Sequence, residues 1–409
     1  MSPLSTLRRM REIAGTPLLL SSFLARLPMS MSLIGILTLV TAETGSVAAG
    51  GLASGALALG ETVGGPVIAR LADRRGQRPV VLAASLAEGA LLVLLVLAVS
   101  ADTAPAVPVA LAVLAGLAMP QIGPLARSRW ISIAGRAANE RERERSVAAA
   151  MSVDGVLDET GFVVGPAVVG LLAVAVGPAA AVLGAAVLVA VFGSAFALHR
   201  TAPLGAPPRP GGERLWRSGL LVLAVPMFCQ GAFFGGATAG VTAFSQQIGR
   251  PDLSGLLYAV MGVTSAAAGL LMASVPSGVT LPVRLRLAAA GLAVFSLPML
   301  AAPGTGTLLA AMLLLGTAVG PHLVTVFSLV ERAAPADRLA QAMTVLLSFL
   351  ILGQSLGSAA AGRLAERFGP SGAFALTTAA AATALVAATL LVRSRWYTTR
   401  PGETAPTPV

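Results

Sequence analysis

The sequence predicts an all-α membrane protein whose twelve transmembrane helices form two pseudo-symmetric six-helix bundles. Charged residues make up only 11% of the 409-residue chain, whereas hydrophobic residues make up 56%. Soluble domains carry about a quarter charged residues, so this chain has too few polar side chains to cover a soluble surface. The composition excludes a soluble enzyme and a disordered chain, and a single Cys excludes an internal disulfide.

Twelve apolar segments have the length of about 20 residues that a membrane-spanning helix needs. The first is long and is followed at once by others, so we do not expect a cleaved signal peptide. The predicted spans are 16–41, 47–69, 79–100, 105–128, 147–173, 176–198, 218–243, 253–276, 284–302, 305–330, 340–362 and 371–393.

The arginines predict the orientation in the membrane. All 28 basic residues are Arg, and with the N-terminus inside, 24 of them fall on the cytoplasmic side. Three fall outside, namely Arg250, Arg363 and Arg367. Because basic residues accumulate in cytoplasmic loops, both termini are expected in the cytoplasm. The formal net charge of +10 is then a topology signal, and no nucleic-acid partner is expected.

A Pro-, Gly- and Arg-rich stretch over 199–217 predicts a cytoplasmic linker between an N-terminal bundle, 1–198, and a C-terminal bundle, 218–409. The two halves also repeat. At a constant offset of 192 residues, the fifth and eleventh segments share an ordered series of matches. These are Met151 with Met343, Gly161 with Gly353, Gly165 with Gly357, Gly170 with Gly362 and Gly177-Pro178 with Gly369-Pro370. Two parallel repeats around a central pathway are typical of transporters.

The loop after the second segment reads Ala69-Arg-Leu-Ala-Asp-Arg-Arg-Gly-Gln-Arg78. It resembles the cytoplasmic signature Gly-x-x-x-Asp-Arg-x-Gly-Arg-Arg of the major facilitator superfamily, from which Ala69 and Gln77 depart. The residues that fit are Asp73, Arg74, Gly76 and Arg78. The resemblance implies a major facilitator fold in which Asp73 meets the start of the eleventh helix and latches one conformation. The alternative is loop charge that orients the helices, with Gly76 permitting a tight turn.

The fifth segment carries Gly161-Phe-Val-Val-Gly165-Pro166-Ala-Val-Val-Gly170. This run resembles the Gly-x-x-x-Gly-Pro-x-x-Gly-Gly element of the superfamily's proton-coupled exporters, with Val169 replacing one Gly. Small residues four apart allow close helix approach, and Pro166 bends the helix. The alternative is ordinary tight packing, which importers share. Across its whole length the chain resembles bacterial drug- and sugar-efflux members, which implies a bacterial inner-membrane location.

Ionisable side chains inside predicted spans are costly and are therefore functional candidates. They are Arg26, Glu61, Glu88, Asp154, Asp158, Glu159 and His322. Helices 1 and 5 are neighbours in the superfamily's fold, so we expect Arg26 to pair with Asp158 or Glu159, either as a proton-loading pair or as a permanent salt bridge. For Asp154, the alternative to a functional role is that its side chain is solvated. For Glu61, the alternative is a structural pair with a loop Arg. His322 is either a polar group of the site or a packed histidine.

Few polar groups are available at the depth of a central cavity. The candidates are the amides Gln121, Gln230 and Gln354 and the aromatic residues Phe233 and Phe234, although such Phe side chains also suit the core or a lipid face. A weakly polar cavity with a few acids favours amphipathic or cationic substrates over sugars. The sequence has no phosphate-cradling loop, metal cluster or nucleophile triad, so we expect no cofactor, no metal and no enzymatic activity.

These observations together predict a secondary transporter that works by alternating access. We expect it to act as a monomer in the lipid bilayer and to export a small amphipathic or cationic organic molecule in exchange for protons. Two alternatives stay open at this point: proton-coupled uptake of a small metabolite, and a transport-inactive membrane sensor or scaffold.

Overall fold

A computed structural model describes residues 15–134, 140–203, 220–272, 275–276, 278–333 and 339–393. Within these residues, twelve helical segments are long and apolar enough to cross a membrane, which confirms the predicted number. We number them as spans 1 to 12. They are Thr16–Thr44, Val47–Arg75, Gln77–Ser100, Ala106–Trp130, Val153–Ala175, Pro178–Leu198, Val222–Gln247, Pro251–Leu271, Leu281–Ala301, Thr305–Ala333, Val345–Phe368 and Pro370–Leu390.

Span 1 is not one continuous helix. It consists of a helix over Thr16–Leu24 and a second over Leu27–Thr44, with Ala25 and Arg26 between them. Pro28 lies at the start of the second helix and has no backbone N–H to donate to the preceding turn, which accounts for the interruption. Arg26 therefore lies at a break in the backbone rather than in the middle of a regular helix.

Span 4 is also interrupted, although the sequence predicted one segment. Its helices are Ala106–Ala118 and Ile122–Ala134, and Met119 adopts an extended conformation before Pro120. A residue that precedes proline is driven out of the helical conformation by the proline ring. Gln121 follows directly, so this predicted cavity residue also lies at a helix break.

The remaining spans show smaller irregularities. Spans 5, 7, 11 and 12 belong to the longer helices Glu140–Ala175, Leu220–Gln247, Leu339–Phe368 and Pro370–Arg393. Span 6 combines helices Pro178–Leu188 and Ser194–Leu198 with a π-helical turn at Val189–Gly193. Span 8 joins a 3₁₀ turn at Pro251–Leu253 to helix Ser254–Leu271. Span 9 joins helix Leu281–Ser296 to a 3₁₀ turn at Leu297–Ala301.

The predicted tight turns depend on glycines with positive φ. Gly177, between spans 5 and 6, has φ of 131°, and its repeat partner Gly369, between spans 11 and 12, has φ of 68°. Gly76, between spans 2 and 3, has φ of 88°. Because residues with a Cβ rarely adopt such angles, these three positions favour glycine.

The helices group into two compact units: residues 1–39 with 59–210, and residues 40–58 with 211–409. The first unit has an apolar core around Trp130, Phe196 and Val81. The core of the second unit contains Phe233, Phe244 and Phe374. The predicted linker 199–217 lies outside the described residues beyond residue 203.

Candidate functional site

Four charged side chains of the first unit meet at the two helix breaks, and we call them the charge cluster. Arg26 comes from the break in span 1, Arg127 from the second helix of span 4, and Asp154 and Asp158 from span 5. The two acids are four residues apart and therefore lie on one face of their helix. Two arginines and two aspartates give the cluster a formal charge of zero.

Each aspartate of the cluster contacts both arginines. Asp154 Oδ1 pairs with Arg26 Nη2, and its Oδ2 lies 2.8 Å from Arg127 Nε. Asp158 Oδ1 lies 3.5 Å from Arg26 Nη1, and its Oδ2 lies 3.2 Å from Arg127 Nη2. Arg26 also donates to the carbonyl oxygen of Gly123 at 3.4 Å, beside the break in span 4. Charge-assisted bonds of this kind are the strongest available to these side chains.

Burial divides the cluster into an inner and an outer half. The side chains of Arg26 and Asp154 are 6% and 0% exposed, whereas those of Arg127 and Asp158 are 35% and 33% exposed. The inner pair has no access to solvent that could replace a lost partner. The outer pair can exchange contacts at lower cost.

The structure partly matches the predicted pairing of Arg26. Arg26 does contact Asp158, but it also pairs with Asp154, and the alternative that Asp154 is solvated is wrong because its side chain is fully buried. The side chain of Glu159 lies outside the described part of the structure. The predicted topology includes Arg127 among the cytoplasmic arginines. Its position inside the predicted fourth segment, 105–128, is the signal that marks it as a charge within a span.

Glu61 and Glu88 form a second buried group in the first unit, which we call the acid pair. They are 1% and 0% exposed, and none of their four carboxyl oxygens has a hydrogen-bond partner in the described structure. The two groups lie within electrostatic range of each other. The alternative that Glu61 pairs with a loop Arg is therefore wrong. The Gln121 side chain faces Glu61 from the break in span 4 without reaching hydrogen-bonding geometry.

The predicted polar residues of the second unit are also enclosed. Gln230 is 1% exposed and His322 is 0% exposed. Neither the Gln230 amide nor either His322 ring nitrogen has a hydrogen-bond partner among the described atoms. Gln354 is half-buried, and Gly231 packs against its backbone, which brings Gln230 and Gln354 to the same level of span 7 and span 11.

One predicted cavity residue needs correction. Phe233 is 0% exposed and lies in the apolar core of the second unit, so it does not line an open cavity. Its aromatic ring contacts that of Phe234 edge-to-face at a centroid distance of 5.9 Å. Phe234 is half-buried and packs against the same core. Two adjacent helical residues point about 100° apart, which is why only Phe233 is fully enclosed.

The signature loop between spans 2 and 3 divides into exposed and anchored residues. Asp73 and Arg74 are exposed in the last turn of span 2. Arg78 donates from Nη2 to the carbonyl oxygen of Leu198 at 3.3 Å. Gln77, which departs from the family signature, is buried and accepts a 2.6 Å hydrogen bond from Arg129. No pattern in the sequence distinguishes Arg129 from the other loop arginines.

The glycine motif of span 5 packs against span 1. Ser30 of span 1 donates from its hydroxyl group to the carbonyl oxygen of Gly161 at 3.1 Å, and a Cβ at Gly165 would collide with that hydroxyl group. Gly170 is buried, and Pro166 lies within the helix. The missing side chain at Gly165 therefore permits the close contact that holds span 5 beside span 1.

Comparison with known proteins places this architecture in a family. Residues 18–338 match the Major Facilitator Superfamily. The match covers most of the chain, so the protein belongs to that superfamily and is a multi-pass membrane transporter rather than an enzyme. No curated protein sequence matches it.

Solved transporter structures share the fold at low sequence identity. A mutant of the nucleoside transporter NupG has a TM-score of 0.70 and 14% identity, covering 92% of this chain and 98% of that chain. An auto-inhibited peptide transporter of the POT family has a TM-score of 0.71 and 13% identity, covering 98% and 99%. The human organic anion transporter MFSD10 (TETRAN) has a TM-score of 0.63 and 19% identity, covering 93% and 99%. These likenesses concern the fold alone.

Proposed function

We propose that the protein is a proton-coupled exporter of a small amphipathic or cationic organic molecule, and that it works by alternating access. The observation that carries the proposal is the charge cluster, in which two aspartates of one helix share Arg26 and Arg127. Arg26 lies at the break in span 1, and Arg127 lies in the helix that follows the break in span 4. Discontinuous helices in transporters are typical of substrate and coupling-ion sites.

Asp158 is the member of the cluster best suited to load and release a proton. It is a third exposed, and its contacts with Arg26 and Arg127 are longer than the contact between Asp154 and Arg127. Protonation of Asp158 removes one negative charge, so two arginines remain with Asp154 alone. This excess positive charge loosens the outer half of the cluster and supplies a reason for the helices to rearrange.

The acid pair adds a second group that can take part in coupling. A buried carboxylate without a counter-charge is unstable, so Glu61 and Glu88 need a bound proton or a cation to balance them. A cationic substrate also benefits from acids in an otherwise apolar surrounding. These features support the substrate class, and the resemblance of the span 5 motif to exporters supports the direction.

The fold neighbours do not select the substrate. They are named as transporters of nucleosides, peptides and organic anions, and all three resemble this chain to a similar degree. The substrate class proposed here rests instead on the scarcity of polar side chains and on the buried acids.

Everted membrane vesicles provide the test, with ethidium as the lipophilic cation probe. Respiration first acidifies the vesicle lumen, and a pH-sensitive dye then reports proton release when ethidium is added. Wild-type vesicles should release protons, whereas Asp158→Asn and Glu159→Gln should abolish the response. Asp252→Asn is the matched control because Asp252 pairs with Arg250 outside the cluster.

Two results would contradict the proposal. Proton release that persists in Asp158→Asn vesicles at matched protein levels would remove Asp158 from the coupling step. Accumulation of the probe in whole cells on overexpression, with no release in everted vesicles, would instead favour the alternative of proton-coupled uptake.

A further inference from the structure

Three arginines and a histidine gather at one end of the first unit, and none of them belongs to the charge cluster. They are Arg78 at the start of span 3, Arg129 near the end of span 4, and His199 and Arg200 just after span 6. We call them the basic cluster. Arg78 donates to the carbonyl oxygen of Leu198, and Arg129 donates to that of Phe196. Both guanidinium groups therefore lie at the end of span 6, directly before His199 and Arg200.

Arg129 is the buried member of the basic cluster. Its side chain is 0% exposed, and Nε donates to Gln77 Oε1 at 2.6 Å while Nη1 donates to the carbonyl oxygen of Phe196 at 2.6 Å. The guanidinium carbon lies 3.6 Å above the Phe196 ring centroid, a cation–π contact. Nη2 has no hydrogen-bond partner among the described residues. The described partners of Arg129 are therefore all neutral.

Within the described residues, the positive charge of the basic cluster is not balanced by an ion pair. Within the described part of the chain, no carboxylate forms an ion pair with Arg78, Arg129 or Arg200. Burial lowers the pKa of His199, and the positive charges of Arg129 and Arg200 lower it further. A buried guanidinium without a counter-charge is unfavourable, and each nearby cation adds to the cost.

The surrounding contacts hold the cluster in a fixed arrangement. Gln77 donates to Ser128 Oγ at 3.0 Å while it accepts from Arg129, and its backbone N–H donates to the Pro203 carbonyl oxygen at 3.2 Å. Arg78 is tied to the Leu198 carbonyl oxygen at 3.3 Å. Arg78 and Arg200 are nevertheless exposed, so an anion can approach them from the protein surface. The positive charge of the buried Arg129 adds to the attraction.

We propose that the basic cluster binds a phosphate group, with the headgroup of an anionic lipid as its source. The cluster lies at the ends of spans 3, 4 and 6 that the arginine distribution predicts to be cytoplasmic, where anionic lipids concentrate. A lipid phosphate between Arg78 and Arg200 supplies the missing negative charge. Free inorganic phosphate carries the same chemistry, and the experiment separates the two sources.

Thermal unfolding of the purified protein in a neutral detergent tests the site without any transport assay. Phosphatidylglycerol should raise the midpoint temperature by several degrees more than phosphatidylcholine with the same acyl chains. The variant Arg78→Gln/Arg200→Gln should need about 30-fold more phosphatidylglycerol for the same shift, since each basic residue near a membrane surface contributes about fivefold in affinity. The matched control is Arg75→Gln/Arg332→Gln, which removes two exposed arginines from the same predicted side.

Each outcome of the unfolding experiment supports or rejects a stated part of the proposal. An equal response of wild type and Arg78→Gln/Arg200→Gln, or of the two lipids, would overturn the proposal. A stabilising shift with millimolar inorganic phosphate but no preference for phosphatidylglycerol would support the phosphate site and reject the lipid source. Should the double variant fail to fold, Arg200→Gln alone decides, because Arg200 is exposed. The readout is stability, so the result is independent of the proposed transport reaction.

Discussion

Asp154 and Asp158 are one helical turn apart and contact the same two arginines. They differ in whether water can take the place of the carboxylate when its charge is lost. Asp154 is fully buried, whereas a third of the Asp158 side chain is exposed. A guanidinium that loses its partner at the buried position stays unpaired in an apolar surrounding. At the exposed position, water takes over part of the role.

Asp154→Asn should therefore destabilise the protein more than Asp158→Asn. Loss of the charge at residue 154 leaves Arg26 poorly compensated, and breaking a buried pair costs about 3–5 kcal/mol. The same change at residue 158 should cost about 1 kcal/mol or less because of its exposure. Thermal unfolding of the two purified variants measures the difference. Equal losses, or a larger loss at residue 158, would show that Asp154 does not anchor the cluster.

At this scale the sequence identified the ionisable residues inside the spans but not all of their partners. Arg26, Asp154 and Asp158 were selected because charges are rare in apolar segments. Arg127 and Arg129 were missed because they lie near a span end, where positive-inside charge is the ordinary explanation. The position of a residue along a span does not reveal which way its side chain points. Arg127 and Arg129 are only two residues apart on span 4, yet they join different clusters.

At the scale of the helix, the two internal repeats use equivalent glycines differently. Gly161 of span 5 and Gly353 of span 11 match in the sequence repeat, yet a Cβ at Gly161 would meet no other atom within 4 Å. A Cβ at Gly353 would collide with the carbonyl oxygen of Phe228 in span 7. Span 7 and span 11 thus approach each other through their backbones, which leaves no room for a side chain.

Gly353→Ala should consequently be harmful and Gly161→Ala nearly silent. Backbone atoms of span 7 cannot move aside as a flexible side chain would, so overpacking at residue 353 should cost about 1–3 kcal/mol or more. Yield of folded protein and the unfolding midpoint of both variants provide the measurement. If Gly353→Ala is as stable as Gly161→Ala, the close contact between spans 7 and 11 is not required for the fold.

Helix existence was far easier to predict than helix continuity. Apolar segments of about 20 residues marked all the spans, because the bilayer imposes that length. The breaks at Arg26 and at Met119–Gln121 were missed, although Pro28 and Pro120 are the local signals for them. Membrane helices tolerate proline. Pro166 lies inside the unbroken helix Glu140–Ala175, so the presence of a proline alone does not predict a break.

At the scale of the whole molecule, orientation in the membrane is the property that links the sites to their function. The proposed exporter takes its substrate from the cytoplasm, and the proposed phosphate site is predicted to face the anionic cytoplasmic leaflet. Both depend on the predicted orientation, which places 24 arginines on the cytoplasmic side and three outside. Twelve spans are present in the described residues, and this even number agrees with the prediction that both termini lie on the same side.

Cysteine labelling of intact cells with a membrane-impermeant maleimide tests this orientation directly. The native Cys229 is buried and should give little background. Ala104→Cys lies in the exposed turn between spans 3 and 4, predicted outside, and should react in intact cells. Thr280→Cys lies in the exposed segment before span 9, predicted inside, and should react only after the membrane is permeabilised. The opposite pattern would invert the topology, and with it the direction of the proposed export and the leaflet assigned to the basic cluster.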